Sequence, residues 1–444
     1  MNKKTVFKLS AGGRLQGRLR VPGDKSISHR SVMFASLAEG RSRISGFLNG
    51  EDCLSTMKAF RAMGAEVQID APDRLCIGGV GLHGLKAPTQ ALDLGNSGTS
   101  MRLMAGLMSG QRFGSVLSGD ASLSRRPMRR VVDPLRRMGA RIETTENGTA
   151  PLSIGPANHL HGIRYESPVS SAQVKSCLLL AGLYAEGETL VVEPAPSRDH
   201  SERMLQVFGV DVMARPGSAG LRGGQTLRAS DIRVPADISS AAFFLVAAAI
   251  VPGSELTLTD VGINPTRTGV IEILRRMGAD IEVLEPREFG SEPVADLRVR
   301  GVGLSGIEIG AELVASAIDE FPALFIAAAC AHGETIISGA EELRVKESDR
   351  IQAMVDGLRI LGVDAEARAD GACIAGVGVE GQLGGGRIDS LGDHRVAMSF
   401  AVAALRANSP IVIDDCANVD TSFPGFAELA AGAGLPITVD YGHD

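Results

Sequence analysis

Four short polar segments of this chain each carry a cation among residues that hydrogen-bond well and crowd little. They are Gly23-Asp24-Lys25-Ser26, with Arg30 one helical turn on, Gly95-Asn96-Ser97-Gly98-Thr99-Ser100-Met101-Arg102, Ser171-Ala172-Gln173-Val174-Lys175, and Gly392-Asp393-His394-Arg395. A second set of cations, Arg125-Arg126, Arg198, Arg267, Lys346 and Arg350, begins other periodic stretches. Arginine donates two parallel hydrogen bonds to a carboxylate or phosphate, and a helix N-terminus adds N–H groups and a partial positive charge. Such residues support the binding of small anions. Taken singly, each Lys or Arg reads as a solvated surface charge. Their recurrence at equivalent points of a repeat reads instead as a basic pocket, in a chain whose 45 Lys+Arg are outnumbered by 52 Asp+Glu. Nucleotide binding is not supported, because Gly23-Asp24-Lys25-Ser26 is too short for a GxxxxGK[ST] loop and no strand-borne GxGxxG with its distant acid occurs.

The elements that must position these residues recur six times, with openings near Pro22, Leu94, Ser167, Pro235, Ala315 and Leu391, about 70 to 80 residues apart. Each opening runs into an almost wholly apolar stretch, then a turn and a β-branched segment. An amphipathic stretch follows and ends at a glycine: Gly64, Gly139, Gly209, Gly278, Gly362 and, more weakly, Gly434. Glycine in that place is a helix C-cap. Helices that are apolar all round, as at 240–250 and 321–331, must be surrounded by protein, whereas amphipathic ones lie outside. Strands are expected at 43–47, 66–69, 257–260 and 280–284. The result is an α/β chain in which sheets cover the inner helices. Six units make two domains of three, dividing near Val21-Pro22-Gly23 and Val234-Pro235-Ala236.

With 444 residues, 44% hydrophobic and 22% charged, the chain has the composition of a soluble globular protein. A net charge of -7 disfavours nucleic acid and membrane surfaces as partners. The longest apolar run, 241–251, stops at Pro252 and is too short to span a bilayer. The first ten residues show no secretory or transit signal, so a cytoplasmic protein is expected. The six cysteines are scattered singly and the histidines form no ligand cluster, so neither a disulfide nor a metal site is expected.

The segments Leu94 to Arg102, Arg126-Pro127-Met128, Arg344-Val345-Lys346-Glu347-Ser348-Asp349-Arg350 and Asp393-His394-Arg395, in that order and spacing, resemble the 5-enolpyruvylshikimate-3-phosphate synthase family. Gly23 to Ser26, Ser171 to Lys175, Arg198-Asp199-His200-Ser201-Glu202 and Asn264-Pro265-Thr266-Arg267 are similar to marks of its class II branch. The resemblance covers nearly the whole chain. It implies a two-domain inside-out α/β barrel of six βαβαββ units with three buried helices per domain. One domain is 23–235, the other is 1–22 plus 236–444, and the active site lies in the cleft between them. It also implies a carboxyvinyl transfer from phosphoenolpyruvate to the 5-hydroxyl of shikimate 3-phosphate, by addition and elimination through a tetrahedral intermediate. Carried over by position, Lys25, Ser26, Arg30, Ser171, Gln173, Arg198, Asp319 and Lys346 would hold shikimate 3-phosphate. Lys25, Gly98, Arg126, Gln173, Glu347, Arg350 and Arg395 would hold phosphoenolpyruvate. Asp319 would be the base, although its place at a repeat opening equally suits a helix N-cap. Glu347 or Lys25 would carry the other proton. The two substrates bring roughly five to six negative charges, a match for the cations on offer. No cofactor or metal is implied; a monomer is, and so is inhibition by glyphosate at the phosphoenolpyruvate site beside Gly98. Two alternatives remain. UDP-N-acetylglucosamine enolpyruvyl transferases typically place a reactive cysteine in the loop matching 118–128, where this chain has none. A non-enzymatic binder of acidic ligands would show no turnover at all.

Overall fold

Each polar opening leads into a helix that is buried on nearly every side, and these helices form the centres of two compact units. A computed structural model describes residues 5–442. The first unit is Gly23–Val234 with Glu288–Glu292, and the second comprises the segments up to Pro22, Pro235–Arg287 and from Pro293 onward. The first unit holds helices α1 (Lys25–Leu37), α2 (Glu51–Ala62), α3 (Gly98–Ser109), α4 (Arg129–Arg137), α5 (Ala172–Gly182) and α6 (His200–Val207). Of these, α1, α3 and α5 are the buried ones, while α2, α4 and α6 turn charged residues outward.

Three four-stranded sheets cover the buried helices. In each, a short edge strand runs parallel to its neighbour and the other pairings are antiparallel. That order follows from the βαβαββ unit, whose first helix crosses over between parallel strands and whose second precedes a hairpin. The first sheet takes its edge strand, Ile232–Arg233, from the end of the unit, where it pairs with Glu39–Ser45.

The second unit repeats the plan with α7 (Ile238–Ala249), α8 (Gly269–Arg276), α9 (Ala311–Ala317), α10 (Phe321–Cys330), α11 (Arg350–Ile360), α12 (His394–Ala403) and α13 (Phe426–Ala433). Here α7, α10 and α12 are the buried helices and pack on one another. The chain's first strands complete this unit. Gln16–Leu19 runs parallel to Glu255–Gly262, and Thr5–Leu9 lies between Ile411–Asp414 and Ile437–Tyr441.

The apolar stretches expected at 240–250 and 321–331 are α7 and α10. Pro322 sits in the first turn of α10, where no intrahelical N–H is lost. Phe243 and Phe244 of α7 meet Phe426 of α13, whose ring also packs edge-on against Phe423 at 5.3 Å. All six repeat glycines, Gly64, Gly139, Gly209, Gly278, Gly362 and Gly434, have positive φ between 78° and 110°. This left-handed turn ends each outer helix and disfavours a side chain. Two details differ from the sequence reading. The strand expected at 43–47 is Glu39–Ser45, because Gly46 at φ 71° turns the chain out of extended backbone. An additional helix, α9, precedes α10 and supplies the turn on which Asp319 sits.

Candidate active site

The first residues of the buried helices are largely occupied with their own backbone. Asp24 accepts from Ile27 N at 2.8 Å, Ser97 from Ser100 N at 3.1 Å, Ser171 from Val174 N at 3.4 Å, Asp237 from Ser239 N at 2.9 Å and Asp393 from Arg395 N at 2.9 Å. Buried N–H groups need acceptors whether or not a ligand arrives. The openings read in the sequence as anion sites are therefore caps first, and anion recognition falls to the side chains around them.

In the first unit those side chains gather at the start of α3. The Arg126 guanidinium donates to Asn96 Oδ1 at 2.5 Å, and Asn96 Nδ2 in turn donates to Asp120. Arg102 donates to Gln173 Oε1 at 2.8 Å, and Gln173 Nε2 donates to Thr99 Oγ1 at 3.1 Å. Gly98 lies under both arginines: a Cβ there would come to 2.9 Å from Arg102 Nη1 and 3.2 Å from Arg126 Nη1. Gly98, Arg126 and Gln173 thus share one place, together with Arg102, which the residues assigned from the resemblance omit. The signal for Arg102 was its spacing, since residues i and i+4 share a helix face.

Lys25 opens α1 and pairs with Asp52 of α2. Ser26 follows it, half-buried, and Arg30 lies one turn on. Arg30 is only 3% exposed; its Nε donates to Ser201 Oγ at 2.7 Å, Nη2 to Ser176 Oγ at 2.8 Å and Nη1 to the Ser26 carbonyl at 3.0 Å. Burial brings its pKa down to about 10, with Glu202 and Asp24 opposing and Arg198 adding a like charge. Arg198 is accordingly close to Arg30, on a loop that Glu193 ties down by accepting from Ser197 Oγ and from Ser171 N at 2.6 Å. Lys175, grouped in the sequence with the pocket cations, is instead buried between Glu193 at 3.0 Å and Glu202 at 2.8 Å. Burial lowers its pKa, but the two carboxylates outweigh that and raise it.

In the second unit the structure brings Asp319, Lys346, Glu347, Arg350 and Arg395 into one cluster. Arg350 is the hub. It donates to Glu347 Oε2 at 2.7 Å and to Asp393 Oδ2 at 2.8 Å, and its Nη1 lies 3.7 Å from Asp319 Oδ1. Arg395 donates to the Asp319 carbonyl at 2.7 Å and reaches its carboxylate at 4.0 Å. Asp393 is fully buried; burial pushes its carboxyl up, but Arg350 and His394 hold it below the usual range. Lys346 is pushed down by burial, which the Asp319 carboxylate partly offsets. Three cations here meet three carboxylates, a composition suited to moving a proton as much as to binding an anion.

Asp319 lies one residue before the N-cap of α10. The cap of α10 is Glu320, whose carboxylate turns inward to Ser239 and to Arg267, 3.7 Å away. Arg267, 3% exposed, also donates to Ser239 at 2.7 Å, so it too belongs to a buried cluster. Among the described residues, no group of three or more His, Cys, Asp or Glu side chains could hold a metal ion.

Six βαβαββ repeats with cations and acid–base pairs at the helix starts define an enolpyruvyl-transferase fold. The chain superimposes over its full length on an enolpyruvyl transferase, NikO from Streptomyces tendae, with a TM-score of 0.78, although the two are only 20% identical. Residues 9–429 match the family model described as EPSP synthase (3-phosphoshikimate 1-carboxyvinyltransferase), and the chain belongs to that family. It is 65% identical over 438 residues to a 3-phosphoshikimate 1-carboxyvinyltransferase of Methylococcus capsulatus, covering 99% of each chain. It is 62% identical over 432 residues to one of Alkalilimnicola ehrlichii, covering 97% of this chain and 96% of the other. An EPSP synthase structure from Acinetobacter baumannii is similar at a TM-score of 0.89 and 54% identity, with 98% of this chain and all of that one covered. The chain is therefore a transferase of aromatic amino-acid biosynthesis that moves the enolpyruvyl group of phosphoenolpyruvate to shikimate 3-phosphate. No helix among the described residues is long and apolar enough to cross a membrane.

Proposed function

We propose that the work is divided between the two sets of residues. Lys25, Ser26, Arg30, Ser171, Gln173 and Arg198 receive shikimate 3-phosphate, while Lys25, Gly98, Arg126 and Gln173, helped by Arg102, receive phosphoenolpyruvate. The second unit's Asp319 takes the proton of the 5-hydroxyl as its oxygen adds to C2 of phosphoenolpyruvate. Lys346 adds a charge for shikimate 3-phosphate, and Arg350 and Arg395 add charge for phosphoenolpyruvate.

Addition also requires a proton at the methylene carbon. Glu347 accepts a hydrogen bond from Arg350, which favours its ionised form, so Lys25 is the better donor and Glu347 the better acceptor when phosphate leaves. The observation that carries this reading is the single cluster of Asp319, Lys346, Glu347, Arg350 and Arg395. Glyphosate competes for the place beside Gly98, and the enzyme works as a cytoplasmic monomer without a cofactor. Phosphate release tests the whole. Phosphoenolpyruvate with shikimate 3-phosphate should release phosphate, and phosphoenolpyruvate with UDP-N-acetylglucosamine should not. Lys25→Met and Glu347→Gln should each stop turnover, with shikimate 3-phosphate still bound by Glu347→Gln in calorimetry. Full turnover in both variants would overturn the proton assignments.

A further inference from the structure

His29, in the second turn of α1, has no assigned part in the reaction, yet it is fully buried and its ring nitrogens meet hydroxyl groups. Its Nδ1 lies 2.8 Å from Thr56 Oγ1 of α2 and 3.2 Å from Ser100 Oγ of α3, and its Nε2 lies 3.4 Å from Ser97 Oγ. The hydroxyls continue the chain, with Thr56 Oγ1 2.6 Å from Ser100 Oγ, and Ser100 Oγ donating to Ser97 Oγ at 2.8 Å.

These contacts close into a ring with one consistent direction. If Nδ1 carries the proton, it donates to Thr56, Thr56 to Ser100, Ser100 to Ser97, and Ser97 back to the bare Nε2. Each group then has a donor and an acceptor within the ring, the Thr56 hydroxyl also reaching the Asp52 carbonyl at 3.3 Å, and Ser97 keeps a lone pair for the cap it provides to Ser100 N at 3.1 Å. The opposite tautomer would set Nε2–H against a Ser97 hydroxyl already receiving from Ser100. An imidazolium, with two donors, would break the ring. Burial holds the imidazole neutral, bringing its pKa down to about 3 despite Asp52.

The ring binds three elements at the places where they carry the phosphoenolpyruvate residues. On α1 it lies one turn from Lys25. On α2 it holds Thr56, one turn from Asp52, which pairs with Lys25. On α3 it grips Ser97 and Ser100, the residues flanking Gly98 and Thr99. Ser97 is needed as a cap, but a merely packed core does not require His29, Thr56 and Ser100 to be polar, since matched apolar side chains would serve as well.

We propose that His29, in the Nδ1–H form, is a positioning residue for phosphoenolpyruvate: its hydrogen-bonded ring fixes Lys25 and the first turn of α3 relative to each other. This rests on the reading of Gly98 and Arg126 as the phosphoenolpyruvate site. Steady-state phosphate release is measured for His29→Leu, His29→Asn and Thr56→Val, with Arg126→Lys as the benchmark for that reading. Loosening the turn should raise KM for phosphoenolpyruvate about tenfold in His29→Leu and Thr56→Val while KM for shikimate 3-phosphate changes less than about twofold. Asn, which offers one donor and one acceptor, should recover most of the loss. Equal rises in both KM values, or unchanged KM values with only a lower melting temperature, overturn the proposal. If His29→Leu fails to fold, Thr56→Val, which opens the ring at one hydroxyl with little change in volume, separates the same two outcomes. An unchanged KM in Arg126→Lys would instead put the site assignment at fault, and a selective effect of His29→Leu would still support the ring.

Discussion

Replacing Gly98 by alanine adds a single methyl group whose direction the backbone dictates. That methyl would stand 2.9 Å from Arg102 Nη1 and 3.2 Å from Arg126 Nη1, closer than side-chain carbons ordinarily approach nitrogen. Both obstacles are the far ends of flexible side chains, so the backbone need not move. Gly98 is moreover the first residue of α3, where alanine gains up to about 1 kcal/mol of helix propensity over glycine. The fold should survive. The guanidiniums, however, cannot withdraw freely: Arg102 is held to Gln173 Oε1 at 2.8 Å and Arg126 to Asn96 Oδ1 at 2.5 Å. Weakening one charge-assisted hydrogen bond, or crowding a ligand by the same few tenths of an ångström, costs about 1 to 3 kcal/mol, or roughly 5- to 150-fold in affinity. Glyphosate is the longer of the two occupants and should meet more of that penalty than phosphoenolpyruvate does. The wild-type enzyme should therefore be sensitive to glyphosate, and Gly98→Ala should raise the inhibition constant at least about tenfold more than KM for phosphoenolpyruvate. The assay is phosphate release at saturating shikimate 3-phosphate, with phosphoenolpyruvate and inhibitor varied together and the melting temperature recorded for both proteins. Equal inhibition constants in the two proteins would show that Gly98 does not line the inhibitor site.

Asp319→Asn keeps shape but removes the base, and should cut kcat by ~10² to 10⁴ with the melting temperature nearly unchanged; a near-normal kcat with a lower melting temperature would return Asp319 to a structural part. Arg350→Met should lower stability in urea by about 3 to 5 kcal/mol, because it leaves buried Asp393 and neighbouring Glu347 without their cation, and a loss below about 1 kcal/mol would contradict the hub assignment. His29 should make the protein acid-sensitive. Its folded pKa of about 3 lies under the ordinary 6.5, so below pH 6.5 the unfolded chain takes up a proton that the folded chain refuses. The stability present above pH 6.5 is thus lost as pH falls toward 3, at up to about 1.4 kcal/mol per unit, or about 2 kcal/mol by pH 5. Lys25, Arg30, Asp24 and Asp52 surround the ring and keep the same sign in His29→Asn, so urea midpoints at pH 7 and pH 5 should converge in that variant. An equal pH dependence in both proteins would exclude His29 as its source.

Motif residues were legible because they are short-range features: a glycine after a helix, an arginine one turn from a cap, an acid beside a repeat opening. The second-unit cluster gathers every residue of that unit assigned to a substrate from the resemblance, and Gly98, Arg126 and Gln173 also meet. Partnerships were not legible. Lys175 and Arg267 look in sequence like the other pocket cations, yet Glu193 with Glu202 and Asp237 with Glu320 hold them in buried clusters. His29 gave no signal, since a lone histidine in an apolar helix says nothing about which hydroxyls, 27 and 71 residues away, will surround it.

By itself the sequence determined what depends on neighbours along the chain. Periodicity fixed which six helices are buried, glycines fixed where the outer ones stop, and cap residues fixed where the inner ones start, because backbone hydrogen bonds and amphipathic faces are local properties. Tertiary structure decided what depends on distant charges and on strand pairing. It gave the sixth repeat its strand Thr5–Leu9 from the opposite end of the chain, and the first repeat its edge strand Ile232–Arg233 from the end of the unit. It also decided which carboxylate each cation meets. Burial makes an unpaired charge or hydroxyl so costly that each such group is defined by its partner, and the partner is set by the fold.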